Sequence, residues 1–340
     1  MIAQLLRRLN LLVLTSLVLF GLIYCAIWQM PGSPLTNFSG VINPSVPEQQ
    51  QIIADYRLDG NWLQSYLAFI QQRLSGNWGL SQSSGYAIWD ELKLILPATA
   101  ELSVLSLAIS LVIGVPLGVL AAARTGVWPK ILWIVTLLGF SVPVFWFGLW
   151  LMITLGLEWD LLPAYGRLNL LYDVPITTGF LLIDIPLSQE PWRWHALSNA
   201  LAHLVMPVIV VAALPTTLVI RIVRVSLREE MQKPYIRALK ARGVAYWSLL
   251  VNHAMANVMG PVFRTMTLQL GPIVSTLIVV ETLFHWPGIG SWLVSAWTHE
   301  DYTALSSGIL AMALLIIIIS NLLELVHFLV NPESRKEFHG

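Results

Sequence analysis

The sequence offers few residues whose types and spacing could carry out chemistry. ATP hydrolysis on a phosphate-binding loop needs the pattern G-x-x-x-x-G-K-[ST], and no lysine in this sequence follows a glycine. The patterns H-E-x-x-H and G-x-S-x-G of zinc and serine hydrolases are also missing. His253 and His299 have no partner at metal-ligand spacing. These observations argue against an enzyme, so ATP-driven work would need a separate ATP-hydrolysing partner.

Ionisable groups inside apolar segments are the next candidates, because a charge in lipid is costly and often marks a transport pathway. Glu101 and Glu281 lie near the predicted outer ends of two apolar segments, and a structural role fits them as well as a pathway role. Glu324 and His327 lie near the predicted inner end of the last apolar segment, where we expect their side chains to reach the lipid headgroups. Trp286, in a W-P-G-I-G cluster that predicts a sharp turn, is either a belt aromatic or part of a pathway entrance.

The basic segment 221–264 contains a short amphipathic helical pattern. Glu229 and Glu230 precede this pattern, and Gly243 stands where a glycine would end a helix. Apolar residues lie among the cations of this segment: Ile236, Leu239, Val244, Tyr246 and Trp247. Such a helix either lies on an anionic membrane surface or docks into a groove on a soluble partner, and composition alone does not separate these possibilities.

The elements that must position these residues are membrane helices. Of the 340 residues, 56% are hydrophobic and 11% are charged, whereas a soluble domain is about a quarter charged. The formal net charge is zero, which gives no reason to expect a nucleic acid partner. A single cysteine, Cys25, excludes an internal disulfide.

Six apolar segments are long enough to cross the hydrocarbon core of a bilayer. They lie at 9–30, 98–123, 131–157, 199–220, 265–284 and 304–330. With the N-terminus inside, the cytoplasmic segments hold 14 of the 19 lysines and arginines, as the positive-inside rule requires. Both termini are therefore predicted to be cytoplasmic. The first segment is long for a signal peptide and has no cleavage pattern, so we expect an uncleaved helix.

The sequence thus predicts an all-α integral membrane protein with about six transmembrane helices. Its expected parts are a first transmembrane helix with a cytoplasmic N-terminus (1–30) and an extracytoplasmic subdomain (31–97). They are followed by a core of five helices (98–330), which includes the cytoplasmic loop 221–264, and by a cytoplasmic tail (331–340). Within the core, Gly114 and Gly118 form a G-x-x-x-G pattern, which predicts close helix packing.

Eight short segments, spread over nearly the whole chain, carry a family resemblance. They are L-D-G (58–60), G-N-W-G-L-S (76–81), L-P-A-T-A-E-L (96–102), I-G-V-P-L-G-V-L-A-A (113–122), L-G-F-S-V-P-V-F-W-F-G-L (138–149), L-L-P-A-Y-G-R (161–167), Y-I-R-A-L-K-A-R-G (235–243) and E-T-L-F-H-W-P-G-I-G (281–290). In this order they resemble the permease subunits of dipeptide/oligopeptide-type bacterial ABC importers. Segments within 166–193 and 215–224 further resemble the B subunit of Sap-type systems, which are associated with antimicrobial peptide uptake and resistance.

The resemblance implies an ABC importer permease fold of type I, the MetI-like fold, in which a cytoplasmic coupling segment inserts into a groove on the ATPase. The general family pattern there is E-A-A-x-x-x-G, and Arg237 stands here where glutamate is usual. Partner docking is therefore favoured over the membrane surface for this segment. The expected coupling residues are Tyr235, Arg237, Ala238, Leu239, Ala241, Arg242 and Gly243, and the expected pathway or gate residues are Glu101, Glu281 and Trp286.

The resemblance also implies partners. These are a homologous second permease forming a heterodimer, two ATP-binding subunits and a periplasmic substrate-binding protein, with ATP and Mg on the ATP-binding subunits and no cofactor on this chain. The implied mechanism is alternating access.

Rival interpretations are weaker. An intramembrane hydrolase would need a nucleophile and base, or metal ligands, facing each other, and an ATP-independent carrier would more often show inverted repeats. Neither is evident in the sequence. Because Sap-type systems are also linked to putrescine export, the cargo, peptide or polyamine, and the direction of transport stay open.

Overall fold

The structure, a computed structural model, is helical in the part of the chain that it describes. That part consists of residues 2–123, 126, 127, 130, 131, 134, 136, 139 and 141–330. Besides helices and loops, it contains an isolated bridge between Leu80 and Ala87. The predicted tail 331–340 lies outside the described residues.

We number the described helices in chain order. They are α1 (Ile2–Gln29), α2 (Pro34–Ser39), α3 (Val46–Tyr56), α4 (Trp62–Leu74), α5 (Ile88–Ala123), α6 (Val144–Glu158), α7 (Leu181–Leu187), α8 (Arg193–Glu230), α9 (Pro234–Ala241), α10 (Tyr246–Leu283), α11 (Ile289–Thr298) and α12 (Tyr302–Val330). Two of them, α6 and α10, contain π-helical stretches, at Met152–Glu158 and Leu249–Ala254 respectively.

Five described helices are long and apolar enough to cross a membrane, namely α1, α5, α8, α10 and α12. They coincide with five of the six predicted segments. The predicted segment 131–157 is matched in part by α6, a shorter apolar helix, while much of its first half lies outside the described residues. A sixth span therefore stays a prediction.

Three of these helices extend well beyond their apolar segments. The α5 helix begins at Ile88, α8 covers Arg193–Glu230, and the continuous helix α10 begins at Tyr246. At 1.5 Å per residue, the 38 residues of α8 span about 57 Å, more than the roughly 30 Å hydrocarbon core. Hydropathy identifies only the apolar part of a helix that can lie in the hydrocarbon core. The helix itself can continue into polar sequence, because its backbone hydrogen bonds do not depend on side-chain polarity.

The described chain forms two compact units. The first contains the chain up to Ala100 together with Asn169–Leu197 and His285–Ile317. The second contains Glu101–Leu168, Ser198–Phe284 and the described residues from Ile318 onward.

In the first unit, an aromatic cluster packs the short helices onto α1. Tyr24 of α1 contacts Phe38 and Phe69, with ring centroids 5.6 and 5.8 Å apart. Arg73 is buried beside this cluster, with its guanidinium over the rings of Phe69 and Trp78. Its cation also donates to the carbonyl of Phe38. Cation–π contacts and carbonyl acceptors thus stabilise a charge that would otherwise be costly to bury.

Also in the first unit, Asp301 joins a loop to the beginning of α12. Its buried carboxylate accepts hydrogen bonds from the hydroxyl of Ser81 (2.6 Å) and from the backbone N–H of Ser83 (3.0 Å). The other carboxylate oxygen accepts from the N–H of Ala304 (2.9 Å), in the first turn of α12. One side chain therefore caps a helix and holds the end of the G-N-W-G-L-S segment.

In the second unit, the predicted close helix packing is confirmed. A Cβ atom added at Gly114 would lie 2.8 Å from Val219, and one added at Gly118 would lie 2.6 Å from Val223. Helices α5 and α8 therefore approach each other at a distance that only glycine permits.

Candidate coupling segment and pathway residues

The predicted coupling segment is a short helix, α9, with a well-defined end. Pro234 occupies its first turn, where its missing N–H leaves no helical hydrogen bond unmade. At the other end, the N–H of Gly243 donates to the carbonyl of Lys240 (3.0 Å), and that of Val244 donates to Leu239 (3.3 Å). These two bonds form a Schellman motif.

Gly243 is required by its backbone conformation rather than by space. Its φ is 84°, in the left-handed region that β-branched residues avoid. A Cβ atom at this position would meet nothing within 4 Å. The sequence prediction that Gly243 ends this helix is correct, with positive φ rather than a close approach as the reason.

The α9 helix separates an inward apolar side from an exposed cationic side. Ile236 is buried, and Leu239 and Val244 are half-buried. The exposed residues of the segment are Tyr235, Arg237, Ala238, Lys240, Ala241, Arg242 and Gly243. Most of the predicted coupling residues are therefore on a surface that this chain leaves open, whereas Leu239 also contributes to the packing.

A buried carboxylate ties α9 to the two long helices beside it in sequence. Glu230, the last residue of α8, accepts hydrogen bonds through Oε1 from the Tyr235 hydroxyl of α9 (2.7 Å) and from the Asn257 amide of α10 (2.7 Å). Its Oε2 pairs with the Lys233 ammonium at 2.6 Å. The side-chain amide of Asn257 also lies 3.2 Å from the Tyr235 hydroxyl. The sequence analysis noted Glu230 but did not predict its burial or its partners.

In the second unit, Glu101 forms a buried ion pair with Arg167. The adjacent residue Gly166 donates its N–H to the carbonyl of Phe284 (2.8 Å). Sequence reasoning missed Arg167, which lies 66 positions from its partner. The only signal was that each charge stands in a segment that carries the family resemblance.

Glu281 of α10 is fully buried within the protein. Burying a charged glutamate costs free energy unless other groups stabilise its carboxylate. Both predicted pathway glutamates are thus buried within the protein rather than exposed on its surface.

Trp286 belongs to the first unit and is also fully buried. Its indole N–H donates to the carbonyl of Ala98 (3.0 Å), and the N–H of Ile289 donates to the Thr99 hydroxyl (2.8 Å). The preceding residue, His285, has a φ of 49°, so the chain turns here as the W-P-G-I-G cluster predicts. Trp286 therefore positions this turn against α5, whereas a belt aromatic would face the membrane interface.

His327 of α12 is half-buried and stacks on Phe263, with ring centroids 5.6 Å apart. Within the described part of the chain, no group of three or more histidine, cysteine, aspartate or glutamate side chains is positioned to hold a metal ion.

Comparison with known proteins identifies relatives of one kind. Residues 114–336 match the family described as "Binding-protein-dependent transport system inner membrane component". The chain is 33% identical to the dipeptide transport system permease protein DppB of Escherichia coli K12, over 98% of this chain and 99% of that protein. It is 35% identical to the peptide transport system permease protein SapB of Salmonella typhimurium, over 78% of this chain and 84% of the relative. It is 36% identical to the putrescine export system permease protein SapB of Escherichia coli K12, over 78% of this chain and 83% of that relative.

Proposed function

The chain belongs to the family of inner membrane components of binding-protein-dependent transport systems, and from that premise we propose that it is the transmembrane permease subunit of an ATP-driven transporter that moves peptides across the bacterial inner membrane. Support for peptides comes from the similarity to a dipeptide permease over nearly the full length of both chains. The five long apolar helices suit a subunit that lies in the membrane.

The proposed complex contains this chain, a homologous second permease, two ATP-binding subunits and a periplasmic substrate-binding protein. The ATP-binding subunits hold ATP and Mg and carry out hydrolysis, while this chain contributes binding surfaces and movement. Both termini and the segment 221–264 face the cytoplasm in this proposal, which rests on the distribution of lysine and arginine.

The observation that carries the proposal is the exposed cationic side of α9. Arg237, Lys240 and Arg242 are exposed although the opposite side of the helix is packed. We place the ATPase on this side, because the apolar side of α9 is already packed within the chain and its cationic side is exposed. Movement of α9 with the ATPase would then shift the long helices between two arrangements, the basis of alternating access.

Glu101, Glu281 and Trp286 have supporting positions in this scheme. All three are buried, and Glu101 is already neutralised by Arg167. We therefore assign each of them to stabilising the unit in which it lies, rather than to direct contact with a cationic cargo.

The substitution Gly243→Val tests the coupling proposal. Valine disfavours a φ of 84°, so the end of α9 should be distorted while the long helices stay intact. We expect normal amounts of protein in the membrane but loss of co-purification with the ATP-binding subunits and of cargo-stimulated ATP hydrolysis.

A conservative variant at the same position serves as the control for this test. Gly243→Asn should retain most activity, because asparagine tolerates the left-handed conformation. Normal ATPase association in the Gly243→Val variant would overturn the coupling assignment and favour a membrane-surface helix.

Putrescine is the second candidate cargo, because one relative carries putrescine export in its name. Uptake and efflux of a radiolabelled dipeptide and of radiolabelled putrescine, measured in a deletion strain and its complemented counterpart, separate the two cargoes and the two directions. Complementation of putrescine efflux alone would replace the peptide proposal.

A further inference from the structure

Glu230 breaks a local rule of helix chemistry. It is the last residue of α8, where unsatisfied carbonyl groups and the helix dipole disfavour an acid and favour a cation. Glu230 is nevertheless only 6% exposed. A residue that contradicts its local preference and is also buried must be stabilised by tertiary contacts.

The contacts of Glu230 are distributed over separate elements. Tyr235 belongs to α9, Asn257 belongs to α10, and Lys233 lies in the turn between α8 and α9. Each of the three donates to the same carboxylate at 2.6 or 2.7 Å, the short distance typical of charge-assisted hydrogen bonds. We call this group of four residues the Glu230 clamp.

We propose that Glu230 is a positioning residue that fixes the coupling helix to α8 and α10 together, so that a movement of α9 is transmitted to both long helices. The inference rests on the proposed function, because it requires α9 to be the segment that the ATPase moves. Along the backbone, α9 is connected to α8 by the turn 231–233 and to α10 by residues 242–245. The clamp joins the three helices side by side through one charged acceptor.

The clamp also changes the role of one expected coupling residue. The Tyr235 hydroxyl is engaged by Glu230 and Asn257, although the residue as a whole is 39% exposed. Tyr235 therefore acts mainly by orienting α9, whereas Arg237 and Arg242 are left to contact the ATPase.

The test compares Glu230→Gln with Glu229→Gln in the complete transporter, reconstituted with its ATP-binding subunits. A glutamine amide replaces one carboxylate oxygen by an NH2 donor, which then faces either Lys233 or the Tyr235 and Asn257 donors. The clamp therefore loses both its charge and an acceptor. Glu229 is the matched control, because it is the preceding residue of the same helix and is exposed. The measurements are ATPase co-purification, ATP hydrolysis, and transport of a radiolabelled dipeptide and of radiolabelled putrescine.

For Glu230→Gln we expect normal ATPase association and an about tenfold rise in ATP hydrolysed per molecule transported, equivalent to losing one hydrogen bond to a charged group. Glu229→Gln should behave like the wild type. The double variant Glu230→Gln with Asn257→Asp exchanges donor and acceptor, and it should recover most of the coupling.

Wild-type coupling in Glu230→Gln would overturn the clamp while leaving the coupling role of α9 intact, provided that Gly243→Val still loses the ATPase. If Gly243→Val also keeps its ATPase, the proposed function of α9 itself fails. Failure of the exchange variant to recover coupling, with normal membrane levels of all variants, would overturn the contact between Glu230 and Asn257 as the link between α9 and α10.

Discussion

At the residue scale, the structure changes the interpretation of Glu101. An acid in an apolar segment suggests a counterion for cargo, but here its charge is balanced within the protein by Arg167. The two side chains are only 5% and 13% exposed, so solvent screens the interaction weakly. Removing one partner of such a pair leaves an uncompensated buried charge, which is far more costly than removing both.

This difference yields a double-mutant prediction. Glu101→Gln and Arg167→Gln should each lower the thermal stability of the purified protein, by about 3 kcal/mol in free energy of unfolding. The variant that carries both substitutions should be more stable than either single variant. Melting temperatures in lipid nanodiscs and uptake of a radiolabelled dipeptide are the measurements, with the exposed Glu158→Gln as control.

A cargo-binding role for Glu101 would give a different pattern. All variants that lack this carboxylate, including the double one, would then lose transport equally, whatever their stability.

At the element scale, a loop of the first unit is held by one aspartate. Asp184 in α7 accepts hydrogen bonds from the N–H of Thr178 (2.8 Å), the N–H of Gly179 (2.9 Å) and the N–H of Thr177 (3.3 Å). Gly179 in turn packs against α5, since a Cβ atom there would lie 2.7 Å from Pro97. The loop that precedes the short helix α7 is thereby fixed against the long helix α5.

The pKa of Asp184 makes the pH dependence of this loop predictable. Burial raises the pKa of Asp184, but the hydrogen bonds from Thr178, Gly179 and Thr177 lower it by more, so that it lies below the ordinary value. Because the pKa of Asp184 is lower in the folded than in the unfolded protein, its charged form stabilises the fold. This stabilisation is fully present at pH values above the unfolded-state pKa of about 3.9. It is lost as the pH falls through the folded-state pKa. We expect equal protection of residues 177–184 at neutral and mildly acidic pH, measured by hydrogen-exchange mass spectrometry.

Asp184→Asn should raise exchange of these amides roughly tenfold at neutral pH, because hydrogen bonds to a charged acceptor are lost. Asp173→Asn, at an exposed position of the same loop, should leave exchange unchanged. Protection in the wild type that already falls near pH 6 would contradict the lowered pKa.

At the scale of the whole molecule, the basic residues predict how the chain crosses the membrane. Because 14 of 19 lysines and arginines fall in segments assigned to one side, that side should be the cytoplasm. Exposed positions suited to labelling are Gln50, Gln189 and Gln232. In a Cys25→Ala background, cysteines at the first two positions should react with an impermeant thiol reagent in intact cells. A cysteine at position 232 should react only after permeabilisation, and its labelling in intact cells would reverse the predicted orientation.

The sequence by itself determined the helical membrane class, five of the long helices and the end of α9. These features depend on local patterns: the length of apolar segments, and a glycine placed where a helix ends. Family segments along the chain also predicted the relationship that the comparisons confirm. The third apolar segment and the orientation of the chain stay predictions.

Only the tertiary structure decided which polar groups meet. Asp301 and Ser81 are separated by 220 positions, Glu101 and Arg167 by 66, and Glu230 and Asn257 by 27. Hydropathy and helical periodicity describe each segment alone, so they indicated Glu101 as an acid in an apolar segment but not its partner, and they did not indicate the burial of Glu230 or Asp301. The choice of partner depends on which helices the fold brings together, and this choice converts three costly buried carboxylates into a helix cap, an ion pair and a clamp on the coupling helix.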